Sequence, residues 1–131
     1  MSQNASPDGT VYIVQSPPIQ IRPGHPPRVR DLSSAQRYGK LMPVLEEFEQ
    51  PSLHPGPSLH KMNRALRSFD PTKDFLCYAG GDPMSIALAL VALRNLGLRE
   101  VQMLRWDRER DTEGVRTKGG YYMPVTTPLM I

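Results

Sequence analysis

Apolar and polar positions along this chain switch between a period of two and a period near 3.6, and the changeovers mark its elements. Thr10-Val-Tyr-Ile-Val14 is a short run of β-branched and aromatic residues, which predicts a first strand. Asp31-Leu-Ser-Ser34 is a helix-start signal, followed by Leu32, Ala35 and Tyr38 at a spacing of three and by Gly39, so a short helix over 33–39 is expected. Leu41-Met-Pro-Val-Leu45 reads as a second strand, and Pro43 places it at a sheet edge or on a bulge. Pro51 to Pro57 reads as a linker, after which Ser58 caps a helix over 59–69. On it, Leu59, Met62, Leu66 and Phe69 form one apolar stripe, and His60, Lys61, Arg64 and Arg67 form a basic ridge on the other side.

The segment Asp74 to Asp107 carries the clearest pattern. Phe75-Leu-Cys-Tyr-Ala79 is continuously apolar, as a strand covered on both faces would be. Gly80-Gly81 turns the chain, Asp82 is placed to cap, and Pro83 stands where a missing amide costs nothing. Helix 84–96 is apolar on nearly every side, which predicts burial at Leu88 and Leu90 alike. Val101 to Trp106 then returns as a strand, completing a parallel βαβ unit with 75–79 and 101–106 adjacent. Tyr121-Tyr-Met-Pro-Val-Thr126 is a last strand, reached by a charged loop. The sum is an α/β fold of Rossmann-like type: one small domain with a mostly parallel sheet of about five strands. Residues 1–30 supply a strand and a proline-rich arm, residues 31–131 the compact part, and a β-arm projects near 105–122.

Composition narrows the function classes. At 131 residues the chain has the length of one ordinary domain. With 39% apolar and 22% charged residues it is neither disordered throughout nor membrane-spanning. A single cysteine, Cys77, excludes an internal disulfide and reads as core filler. His25, His54 and His60 are spaced like no compact metal motif, so no metal or cofactor is implied. Fourteen prolines are the compositional outlier, and Pro17 to Pro27 reads as an exposed, polyproline-like loop around Gly24-His25. The formal charge of +3 is too small to identify a nucleic-acid binder by itself. Met1 to Thr10 has no signal pattern, and Met84 to Leu93 is too short to span a bilayer, so a cytoplasmic protein without a membrane partner is expected.

Three groups of residues could carry function. Gly80, Gly81 and Asp82 lie where a parallel strand meets a helix N-terminus, a place suited to an anionic ligand, although the spacing matches neither phosphate-binding fingerprint. Lys61, Arg64 and Arg67 could meet nucleic-acid phosphates. Arg105, Trp106, Tyr121 and Tyr122 bracket a loop of interleaved charges, which suggests cross-strand ion pairs with aromatics of the kind found at interface centres. The same aromatics beside Arg116 and Lys118 could instead stack on bases. The uncharged tail Pro128-Leu-Met-Ile131 is a further candidate contact. No catalytic constellation stands out.

Asp31-Leu-Ser-Ser-Ala-Gln-Arg-Tyr-Gly-Lys-Leu41, followed by Asp74-Phe-Leu-Cys-Tyr and then Met84-Ser-Ile-Ala, resembles short uncharacterised α/β proteins encoded by tailed bacteriophages. The resemblance covers about half of the chain, and the proline-rich arm and the loop Arg108 to Gly120 depart from it. It implies a setting, a small non-virion protein in the host cytoplasm with an adaptor or host-modulating role, and no activity. The expected function is therefore a non-catalytic interaction protein, assembling with itself or another protein through the 105–122 arm. A nucleotide or phosphate module at Gly80–Asp82 and a weak nucleic-acid binder are the alternatives.

Overall fold

Five strands form one sheet in the order β2-β1-β3-β4-β5, as described by a computed structural model covering residues 9–19, 21–27, 30–110, 113 and 116–130. β1 (Thr10–Gln15) pairs in parallel with β2 (Lys40–Leu45) on one side and β3 (Phe75–Cys77) on the other. β4 (Glu100–Arg110) lies parallel to β3, so the expected βαβ unit is present with no strand inserted. β5 (Arg116–Pro128) closes the sheet antiparallel to β4. Helices α1 (Pro55–Ala65) and α2 (Met84–Asn95) share one face of the sheet, and a 3-10 helix, Ser33–Tyr38, covers the other. Right-handed crossovers require this split, because the chain steps outward from β1 to β2 and then reverses towards β3 and β4.

Side-chain alternation divides the interior into two layers. Tyr12, Val14, Leu76 and Val101 point towards α1 and α2, where they meet Met62, Leu66, Phe69, Ala89 and Leu93. Val11, Ile13, Cys77, Leu104 and Tyr122 point the other way and are covered by Ala35, Leu32 and Tyr38. Close backbone approach adds a constraint at the amino edge: a Cβ on Gly9 would lie 1.9 Å from the Lys73 carbonyl. There the buried Asp74 carboxylate ties strand starts together, accepting from Thr10 N–H and Asp70 N–H, each at 2.8 Å.

Several boundaries differ from the sequence expectation, each for a physical reason. α1 begins at Pro55 rather than Leu59, because proline is tolerated in a first turn whose amides have no intrahelical acceptor; Ser58 is a buried helical residue and not a cap. The helix also ends at Ala65, although Leu66 and Phe69 remain in the core through the following turn. The 33–39 helix is a 3-10 helix, with Asp31 Oδ1 accepting from Ser33 N–H at 2.9 Å. The proline arm is not uniformly extended: Arg22 C=O accepts from His25 N–H across a Pro-Gly turn in which Gly24 has φ +76°. α2 is one-sided. Ser85, Leu88, Ala89, Ala92 and Leu93 are buried, whereas Leu90 is half-buried and Met84, Val91 and Leu96 face solvent.

Leu93→Ala should therefore cost about 2–5 kcal/mol in urea denaturation, and Leu88→Ala a comparable amount. Leu90→Ala should cost clearly less than either. Equal losses at Leu90 and Leu93 would mean that α2 is buried on all sides.

Candidate functional site

The direction of chain progression reverses between β1 and β3, and the carboxyl ends of these two strands mark the crevice where open α/β sheets bind ligands. Gly80, Gly81 and Asp82 lie there, directly after β3. So does Gln15, the last residue of β1, whose side chain is buried. Gln15 Oε1 accepts from Asp82 N–H at 3.0 Å, and its Nε2 donates to the carbonyls of Glu46 and Glu49 at 2.9 and 2.8 Å. Gly81 must be glycine on two counts: φ is +90°, and a Cβ would lie 2.7 Å from Gln15 Oε1.

Asp82 occupies the start of α2 with its own charge. Its carboxylate accepts from Ser52 Oγ (2.5 Å), Ser52 N–H (2.8 Å) and Met84 N–H (3.0 Å). The Ser52 hydroxyl, then the Met84 and Ser52 amides, hold its carboxyl below the ordinary aspartate range. A bound phosphate would have to displace or face this carboxylate, so the geometry gives the helix terminus an internal anion in place of an external one. Nearby, burial pushes the Cys77 thiol up to about 12, which leaves it protonated at neutral pH.

Arg105, Trp106, Tyr121 and Tyr122 are brought together at the base of the β4–β5 arm, but on opposite faces. Trp106 pairs with Tyr122 across the strands, ring centroids 5.0 Å apart and nearly edge-on. Tyr122 is fully buried and Trp106 half-buried, so the aromatic pair belongs to the arm's inner side. Trp106 also lies against the Gly120 backbone, where a Cβ would come within 2.5 Å of its ring. Tyr122 is therefore corrected from contact residue to core residue. Tyr121 and Arg105 remain exposed, and Arg105 pairs with Asp107 at 3.5 Å along the strand rather than across it. Arg116 and Lys118 carry no described side chain. Of the tail, Leu129 is half-buried against the α-helical layer, Met130 is exposed, and Ile131 lies outside the described residues.

The free edge of β5 is dressed at three of its outward positions. Leu129 N–H donates to Arg99 C=O at 2.8 Å, so by alternation the backbone groups of Tyr122, Pro124 and Pro128 point away from β4. Tyr122 N–H donates to Ser34 Oγ (3.0 Å), and its carbonyl accepts from Tyr38 OH (3.3 Å). The two prolines have no N–H to offer. Lys61 and Arg64 are exposed on α1 and Arg67 in the turn just beyond its end, but Lys61 is committed to an ion pair with Glu49.

Sequence patterning overlooked the most exposed large apolar side chains among the described residues. Ile21 is 79% exposed, Phe48 77% and Leu53 67%, and with Ile19 they all come from the loops that follow β1 and β2. Phe48 stands alone among three glutamates in Glu46-Glu-Phe-Glu49, a signal that no periodicity reveals.

The fold and this site define a small α/β domain with a filled carboxyl-edge crevice and a projecting antiparallel arm. The chain belongs to the Phage Pam3 gp32-like protein family, whose model matches residues 9–113, from just before β1 to just beyond the end of β4. No curated protein and no solved structure matches it.

Two outcomes follow from the crevice. Gln15→Leu should cost about 1–3 kcal/mol or more, because two carbonyls and one amide lose a buried partner; a neutral effect in denaturant melts would show that water replaces it freely. Because the Asp82 pKa is lowered on folding, its contribution is full above the unfolded value of about 3.9 and is lost as pH falls through the folded value. The gap in melting temperature between wild type and Asp82→Asn should thus be widest near neutrality and shrink below about pH 4. A gap unchanged across that range would assign Asp82 no role as a charged acceptor.

Proposed function

We propose that this phage-family chain is a non-catalytic interaction protein that assembles through the 105–122 arm, in an accessory or host-modulating role in the host cytoplasm. One observation carries the reading. β3 pairs with β4 only as far as Leu104, so from Arg105 onward β4 and β5 run as a two-stranded ribbon beyond the sheet. Isolated ribbons are marginal in water, yet this one is stiffened at its base by the Trp106–Tyr122 pair and by the bonds from Ser34 and Tyr38. Such bracing holds Arg105 and Tyr121 in place at the surface before any partner arrives, which lowers the ordering cost of binding. The dressed β5 edge argues for recognition by side chains rather than by addition of a strand.

The alternative of a nucleotide or phosphate module gains from the position of Gly80–Asp82 and loses by chemistry, since Gln15 and the Asp82 carboxylate fill the place a ligand would take. Nucleic-acid binding at α1 is left with Arg64 on the helix and Arg67 in the turn after it, since Lys61 is paired.

A photo-crosslinking residue at position 121 tests the arm directly. It should give discrete protein adducts, to another copy or to a different protein, when the chain is produced in a bacterial host. The same residue at exposed Lys73, at the opposite edge of the sheet, should give none. Equal labelling at both positions would remove the arm as a specific surface.

A further inference from the structure

The apolar surface left by the loops after β1 and β2 has no use in the reading above, and it has unusual chemistry. Glu46 to Glu49 form a turn closed by Glu49 N–H to Glu46 C=O (3.1 Å) and by Glu46 N–H to Glu49 Oε1 (3.1 Å). Buried Gln15 grips both carbonyls from below. Ile19 is drawn alongside, its N–H donating to Glu47 Oε2 at 3.2 Å. Phe48 is thus displayed on a braced turn, with Ile19, Ile21 and Leu53 contributed by the same pair of loops. The turn carries three glutamates: Glu49 is paired with Lys61, and Glu46 and Glu47 are left as exposed carboxylates beside Phe48. An apolar patch fringed by carboxylates calls for a counterpart that is both apolar and cationic.

Resting on the arm as a contact surface, we propose that two copies of this chain pair carboxyl edge to carboxyl edge, each arm seated on the other's Phe48 patch. Patch against patch would bring Glu46 and Glu47 against their own copies, a like-charge contact. The α1 ridge supplies cations but no apolar area. The arm supplies both: Tyr121 opposes Asp107 and lies diagonal to Arg105, whose guanidinium stays exposed although it is 3.5 Å from the Asp107 carboxylate. The strand order then fixes the symmetry. The patch rises over β2 and β1, the arm over β4 and β5, and β3 is central. A two-fold axis normal to the sheet, passing above β3, inverts the second copy and exchanges its sides, so patch meets arm twice. An axis lying in the sheet plane would set arm on arm and patch on patch. The closed arrangement is isologous, as most soluble dimers are.

Sedimentation velocity on the full chain decides the matter through a charge swap. Wild type should dimerise at micromolar concentration, less so as salt rises, and Phe48→Asp should be monomeric. Glu47→Arg and Arg105→Glu should each weaken the dimer by about tenfold or more, since each homodimer then repeats a like-charge contact twice. Mixing these two variants should restore it, because both contacts of the mixed dimer are again opposite in sign. Recovery on mixing also shows that both variants are folded. A wild type that stays monomeric, a dimer indifferent to Phe48→Asp, or a mixture that fails to recover would each overturn the proposal. Adducts to a different protein from position 121, with a monomeric wild type, would leave the arm a surface while removing the self-pairing.

Discussion

The structure depends on one buried amide. Gln15 ends β1 in an otherwise apolar run, yet its side chain is nearly inaccessible and makes three hydrogen bonds, all to backbone groups of other segments. It joins the start of α2 to the turn after β2, two elements far apart in sequence. It serves two carbonyls and one N–H at once, and although the Glu46 carbonyl keeps its bond from Glu49 N–H, the loss of Gln15 would take a partner from all three. The position matters as much as the energy. A polar side chain at the point of strand reversal occupies the crevice that the fold would otherwise open to solvent.

Proline acts on this sheet mainly through the hydrogen it lacks. Lys40 N–H donates to Gly9 C=O, so along β2 the residues facing outward include Pro43. On the opposite edge Pro124 and Pro128 hold the equivalent outward positions, and Tyr122 between them and the arm is capped by Ser34 and Tyr38. Both edges are therefore poor templates for another strand. Contacts between copies or with other proteins are left to side chains and loops. That constraint favours the faces and the carboxyl end, where exposed apolar residues are concentrated.

The order of elements and the parallel βαβ unit were legible in the sequence because each rests on local pattern: the apolar run at 75–79, the Asp82-Pro83 start, the return at 101–106. The edge position of β2 was legible from Pro43 alone. Helix limits were less so, since Pro55 and Pro57 are as suited to a first helical turn as to a linker. The burial of α2 was overestimated because Met84, Val91 and Leu96 are apolar without being covered, and composition cannot tell which side of a helix meets the sheet. Tyr122 was misplaced for a related reason. In a strand, neighbours point to opposite faces, and nothing in Tyr121-Tyr122 says which of the two is inside. Gln15 and Phe48 gave no periodic signal at all. Their roles arise from loops that meet only in the folded chain.

The polar groups at the carboxyl edge are spent on the protein itself. Asp82 is held by Ser52 and Met84. Burial alone would raise the Glu49 carboxyl, but Lys61 and the Glu46 amide hold it low. Asp70 is bound by Thr72, and Asp31 by Ser33, in the same self-contained manner. An edge built to hold a small polar ligand keeps donors and charges unpaired and convergent, with apolar walls around them. Here the distribution is inverted: the convergent polar groups are satisfied and the apolar side chains stand outward. A surface of that kind gains little from a phosphate or a sugar, which need free donors. In the pairing proposed above, the partner would remove Phe48 from water and present a cation to the carboxylates beside it. The same loops that close the crevice thereby carry the most exposed apolar side chains among the described residues, and closing the one is what stiffens the other.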